Sequence, residues 1–253
     1  PELPNSRAQA APMPSEAPVM STTLPSSLMG TVLRKSAQKR HNSTMSKRLI
    51  PLFPLQLVVF PRTRLPLHIF EERYKEMVGD AIRDESEFGV VLARDGAILN
   101  AGCTVKVSKV LEMYADGRMD ILTLGQRRFE ILGLNEEKDY LQGEVEFFDD
   151  EDVEPVPAEV REQALVNYQA LNRMVSVRDH GDPDFEDRQI SFQLAQAVPD
   201  LDFLSMILRE RSEVERLRQF NHFLASYLPR QRSIERMKSI APTNGHGLKP
   251  PGV

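Results

Sequence analysis

The apolar residues of this 253-residue chain keep one spacing up to Phe148 and another after it. Between Leu49 and Phe148 they fall mostly in short runs or at alternate positions, the spacing of strands. From Val160 to Leu228 they fall three and four apart, the spacing of helices. Strands first and helices afterwards make an α+β protein rather than a parallel sheet with alternating helices. The switch coincides with Asp149-Asp-Glu-Asp-Val-Glu-Pro-Val-Pro157, which reads as a solvated acidic linker. Glu144–Glu154 holds seven acids and no base, but it lacks the glycine and ligand spacing of a calcium loop.

In the first part, Leu49–Leu55, Leu57–Phe60 and Leu65–Phe70 read as short extended runs. Pro51, Pro54 and Pro61 interrupt them. Proline cannot donate to a ladder, so these strands are expected to be edges, bends or crossing segments. Glu71–Asp84 reads as a helix, with Tyr74, Met77, Val78, Ala81 and Ile82 on one stripe. Phe88–Ala93 is a buried-type strand. Cys103–Met113 shifts phase after Val107, the mark of a bulge. Ala115-Asp-Gly117 is a hairpin turn, and Gly125 separates Arg118–Leu124 from Arg128–Leu134. Leu141–Phe147 alternates. Turns every 8–12 residues indicate a compact antiparallel barrel or sandwich.

In the second part, Val160, Ala164, Tyr168, Leu171 and Val175 make one helical stripe. Ile190–Val198 makes a second, stopped by Pro199, and Leu201–Leu208 a short third. Ser212-Glu-Val-Glu215 is a capping box opening a helix that Pro229 should end, with a short helix following near Ile234–Ile240. The resulting division is a β domain over 45–152 and an α-helical domain over 158–240. Residues 1–44 and 241–253 read as disordered. The first of these tails carries six prolines, no hydrophobic period, and five bases against two acids. Met45 reads as a natural start. The stretch before it has three readings, an extension without a role, an organelle transit peptide or a flexible arm, and the expected localisation is cytoplasmic unless it directs import.

Charge and motifs narrow the function. The chain's net charge is −5, and −8 falls on residues 45–253 once the basic tail is set aside. That balance argues against a general nucleic-acid binder. No apolar run is long enough to cross a membrane. Five scattered histidines and the single Cys103 form neither a metal set nor an internal disulfide. No phosphate-cradling loop, dinucleotide fingerprint, nucleophile elbow or zinc-protease motif occurs, so no cofactor is expected. Cys103 reads as a small buried apolar residue. His68 reads as a hydrogen-bonded packing residue rather than a general base.

Several ordered motifs resemble the Lon N-terminal domain, the substrate-binding region of ATP-dependent Lon proteases. They are Pro51-Leu-Phe-Pro-Leu-Gln-Leu-Val-Val-Phe-Pro61, Leu65-Pro-Leu-His-Ile-Phe-Glu-Glu-Arg-Tyr74, Phe88-Gly-Val-Val and Gly102-Cys-Thr-Val. Asp116-Gly-Arg118 with Leu124-Gly-Gln-Arg-Arg-Phe129, and then Arg211–Leu217, complete the likeness over about Leu49–Arg230. The resemblance implies a PUA-like antiparallel β pseudo-barrel followed by a C-terminal α-helical bundle. Lon proteases continue into an ATPase and a Ser–Lys peptidase, and this chain carries no motif of either. The expected role is therefore a non-catalytic module for unfolded or extended polypeptide segments, with a separate protease or chaperone as a further partner.

The signature residues have a structural reading. Phe53, Phe60, Phe70, Tyr74 and Phe129 would be core, Gly102, Gly117 and Gly125 turns or bulges, and Arg73, Arg118 and Arg128 internal partners of carboxylates. The functional alternative is a groove between barrel and helices, with Phe53, His68, Phe70, Arg73, Tyr74, Arg128 and Phe129 as polypeptide-binding candidates. Competing functions are a part in ATP-dependent proteolysis, a PUA-like RNA binder, and a small-molecule pocket, the last weakened by the absence of Trp.

Overall fold

A computed structural model of the chain describes residues 48–151, 155–174 and 183–240, with side chains through 237. The expectations for residues 1–44 and 241–253, and for Val175, lie outside the described residues. The elements are β1 (Arg48–Leu55), β2 (Arg64–Ile69), α1 (Glu72–Arg83), β3 (Phe88–Arg94), β4 (Ala97–Met113), β5 (Met119–Asn135) and β6 (Gln142–Phe148). Then come α2 (Ala158–Met174), α3 (Ile190–Ala195), α4 (Leu201–Arg209) and α5 (Glu213–Ile240).

The sheet runs in the order β2-β5-β4-β3-β1-β6, and β6 pairs again with β5. Five strands thus close into a ring, and β2 hangs on β5 outside it. β1 can be central despite two prolines because it changes partners. Arg48–Pro51 pairs with β6, and Leu52–Leu55 with β3. The pairing with β3 is parallel, unlike the expected all-antiparallel barrel, because β2 and α1 intervene as a crossover. β5 is one strand of 17 residues and not two. Its first half pairs with β2 and the far half of β4, its second with β6 and the near half of β4. Gly125 keeps its backbone bonded across this change, donating to Thr63 O at 2.9 Å and accepting from Arg62 N–H at 2.8 Å. Leu57–Phe60 is not a strand. It leads into a turn held by Thr63, whose hydroxyl donates to Phe60 O at 2.7 Å.

α1 turns Tyr74, Met77, Val78 and Ala81 inward, as its stripe requires. The expected bulges occur, with the β4–β5 register shifting near Val107 and again near Val110. α5 opens as its capping box predicts, with Glu215 N–H donating to Ser212 Oγ at 3.0 Å. The return arm differs, since Ser212 N–H donates to Glu210 Oε1 at 3.0 Å. α5 also passes through Pro229 without ending. Ala225, whose carbonyl loses its donor there, is exposed, so water can satisfy it.

Two apolar clusters hold the molecule. The larger joins one face of the strands to α1 and to the later helices, so the β and α parts share a core. The smaller is built from strand residues alone, Ile50, Leu52, Val91, Phe129 and Val145.

Candidate functional site

β2 is the strand with an open side. It pairs with β5 through six consecutive residues without a register shift, and among the described residues nothing pairs with its other edge. Counting by twos from the Gly125–Thr63 hydrogen bond, the backbone groups of Leu65, Leu67 and Ile69 point to β5. Those of Arg64, Pro66 and His68 point outward. Pro66, which has no N–H, falls in the outward set, where it costs no ladder bond. The far half of β4 has a second open edge, from Lys106 to Met113, but two bulges break it. Bulges protect edges from pairing, so the smooth β2 edge is the better template for an added chain.

A shallow apolar hollow lies beside β2, walled by Phe53, Leu57, Leu67, His68, Phe70 and Tyr74. Its free space is about 40 Å³. That admits a water or the tip of a side chain, far less than a cofactor needs. Phe53 and Tyr74 form its floor, ring centroids 4.3 Å apart, while Phe70 at the rim is 36% exposed. Burial raises the Tyr74 phenol above its ordinary pKa, against the pull of the Arg73 charge. Arg73 sits 4.6 Å from the Tyr74 ring and donates to Glu71 Oε2 at 2.7 Å.

His68 faces Asp120 across the β2–β5 ladder, with Nδ1 and Oδ1 2.6 Å apart. The Tyr114 hydroxyl donates to Asp120 Oδ2 at 2.8 Å. These bonds, the His68 bond foremost, hold the Asp120 carboxyl below the usual carboxylate range. The histidine stacks on Phe70 at 5.9 Å, so it is partnered as expected. Its partner is a carboxylate and no nucleophile. Cys103 is fully buried, and burial pushes its thiol up to about 12, which makes it inert. Among the described residues no group of His, Cys, Asp and Glu is placed to hold a metal.

Five of the seven candidates therefore meet at one place. Phe53, His68, Phe70 and Tyr74 wall the hollow, and Arg73 packs on Tyr74. Arg128 and Phe129 lie elsewhere, and neither can touch a polypeptide at the surface. Phe129 has no exposed surface, and its ring covers the bare backbones of Gly89 and Gly102. Arg128 is 2% exposed and spans the seam between β5 and the helices. It donates to Leu208 O at 3.1 Å, to Glu210 O at 2.6 Å and to Asp150 Oδ1.

That seam is filled, not grooved. Phe60 stacks on Phe192 at 5.2 Å, and the guanidinium of Arg216 lies 4.2 Å from the Phe192 ring. Arg216 grips Asp150 with two bonds of 2.7 Å, Glu213 at 2.6 Å and Ser191 Oγ at 2.8 Å. Asp150 is thus no solvated linker residue. Burial pushes its carboxyl up, but Arg216, Gln189 and Arg128 more than offset that, and it stays below the ordinary range. Burial raises Glu213 despite the same arginine. Sequence pattern missed this cluster because Glu213 and Arg216 look like the polar side of a surface helix. The legible signals were two motifs, Leu124–Phe129 with Arg128 and Arg211–Leu217 with Glu213 and Arg216.

The fold of this chain, a ring of strands followed by packed helices, is shared with solved Lon N-terminal domains. It aligns with the Lon N-terminal domain protein of Xanthomonas campestris at a TM-score of 0.56 and 27% identity, over 68% of this chain and 96% of that one. The N-terminal domain of the Mycobacterium avium complex Lon protease shares the fold at a TM-score of 0.51 and 14% identity, over 71% of this chain and 99% of that one. The chain belongs to the family of ATP-dependent protease La (LON) substrate-binding domains, whose model matches residues 49–231. It is 32% identical over 114 residues to the Lon protease of Anaeromyxobacter dehalogenans and 28% identical over 127 residues to that of Parabacteroides distasonis. These matches take in 42% and 47% of this chain, but only 13% and 15% of those proteases.

Proposed function

We propose that this chain is a non-catalytic module that holds unfolded or extended polypeptide segments. The observation that carries the reading is the smooth, unpaired β2 edge beside an apolar hollow, in a domain of the Lon substrate-binding family. An extended client would add to β2 by backbone hydrogen bonds at Arg64 and His68 and place one apolar side chain against Phe70 and Leu67. Such docking uses the main chain for affinity and shallow apolar contact for selection, so it is weak and loosely sequence-dependent. Cutting and nucleotide turnover fall to a separate protease or chaperone. The closed His68–Asp120–Tyr114 set and the inert Cys103 support a binding role over a catalytic one.

Backbone-methylated peptides test this. An extended peptide with apolar residues at alternate positions is titrated by fluorescence anisotropy, unmodified and N-methylated in each of the two strand registers. Methylation in one register should weaken binding roughly tenfold, the scale of one or two lost hydrogen bonds. Methylation in the other should leave it unchanged, and Phe70→Ala should weaken all forms. Equal losses in both registers, or no binding, sink the reading.

A further inference from the structure

The three strands β2, β5 and the far half of β4 form a small sheet whose two faces differ. On the inner face, Ile121 and Thr123 of β5 have no exposed surface. On the outer face, Leu122 and Leu124 alternate with them, are half-buried, and pack against neither of the two apolar clusters. The register sets their neighbours in rows across the strands. Arg64, Leu124 and Lys106 form one row, and Pro66, Leu122 and Lys109 the next. His68, Asp120 and Glu112 form the third. An apolar strip of Pro66, Leu122 and Leu124 therefore runs between Arg64 on one side and Lys106 and Lys109 on the other.

The charges on this face are unequally engaged. In the third row the carboxylates are tied up, with Tyr114 OH reaching Asp120 at 2.8 Å and Glu112 at 3.2 Å. In the first two rows Lys106 has one loose partner, Glu85 at 3.8 Å. Arg64 and Lys109 are exposed and have no ion pair among the described residues. A net-acidic protein thus presents a cation-flanked apolar strip on a sheet face that, among the described residues, neither apolar cluster covers.

We infer that this outer face is a docking surface for an acidic amphipathic helix of a partner protein. A helix is the element that covers a sheet face. Leu122 and Leu124 are spaced about 7 Å apart along the strand, close to the roughly 6 Å between helix positions four apart. Apolar side chains at that spacing would fit the strip, and carboxylates flanking them would meet Arg64, Lys106 and Lys109. Nucleic acid is disfavoured, since the face offers three cations, no stacking aromatic on the strip, and a net charge of −8 over residues 45–253 behind it.

The test uses the full chain and three probes: a Glu/Leu amphipathic helical peptide, its Lys/Leu counterpart, and single-stranded poly-U RNA. The acidic peptide should bind, weaken as salt rises, and lose about tenfold or more in affinity in the Lys106→Glu/Lys109→Glu variant. Both lysines are exposed, so the variant should fold, and circular dichroism checks that. The extended peptide that tests the β2 edge should bind the variant as before, so the two sites fail separately. Equal binding of acidic and basic peptides, or an unaffected variant, overturns the inference. Poly-U displacing the peptide through the same lysines would give the face to nucleic acid instead. Concentration-dependent self-association abolished by the variant would give it to a second copy, and either result overturns the inference.

Discussion

Three residues of the Leu124–Phe129 motif do three unrelated structural jobs. Gly125 lets the Phe60 turn close on β5, because a β-carbon there would lie 2.0 Å from the Phe60 carbonyl oxygen. Arg128 reaches out to the helices, and Phe129 reaches the opposite way, over Gly89 and Gly102. Gly102 and Gly125 are thus sites of close approach, each beside a register shift of its ladder as a bulge position would be, while Gly117, at φ 80°, is a turn. Replacing Gly125 by Ala should cost about 2 kcal/mol or more, since the obstructing atom is backbone and cannot step aside. Phe129→Ala should cost about 3–5 kcal/mol as a fully buried ring leaves a cavity. Urea unfolding midpoints measure both, and a Gly125→Ala protein as stable as the parent would refute the close-approach account. The residue types in the motif were legible as structural. Their directions were not, because facing is set by a register that only the paired strands define.

At the scale of elements, periodicity served where one face meets a core and misled where backbone context decides. The α1 stripe and the β4 bulges were readable because burial imposes spacing on the sequence. The length of β5 was not, since a glycine inside a strand that changes partners looks the same as one between two strands. The parallel β1–β3 pairing also left no mark, because both strands are buried in either sense. The hollow was half legible, as the run from Leu65 to Tyr74 supplies most of its wall. Pro229 is the clearest miss. A helix-breaking residue stands inside α5, where the helix surface is exposed and solvent can serve the freed Ala225 carbonyl. Pro229→Ala should restore the missing bond, slow amide exchange through 225–237, and raise stability by up to about 3 kcal/mol. Unchanged exchange in that stretch would mean that the turn around Pro229 is already as secure as a regular helix.

For the whole molecule, the decisive contact is the seam where the strand ring meets the helices. Two buried guanidinium groups, Arg128 and Arg216, are balanced there by Asp150, which pairs with both across the seam, and by Glu213, which pairs with Arg216 within α5. Removing one member of such a set costs more than the set contributes, because the remaining charges stay buried without compensation. Arg216→Met should therefore destabilise by about 3–5 kcal/mol, whereas Arg216→Met/Glu213→Leu, which removes a charge of each sign, should recover much of the loss. The pH dependence has a defined sign. Asp150 is held below the ordinary carboxylate value of 3.8, so the folded state binds its proton less readily than the unfolded chain. Its stabilisation is complete above that ordinary value and is lost as pH falls through the lower folded value. Glu213, raised by burial, acts in the opposite sense and gives up stability as pH rises through its folded value. Asp150→Asn should thus flatten the acid limb of a plot of urea midpoint against pH while lowering the midpoint at neutral pH. If the acid limb keeps its slope in that variant, the seam is not what acid undoes. Asp120, held low chiefly by its bond to His68, would then be the group to replace next.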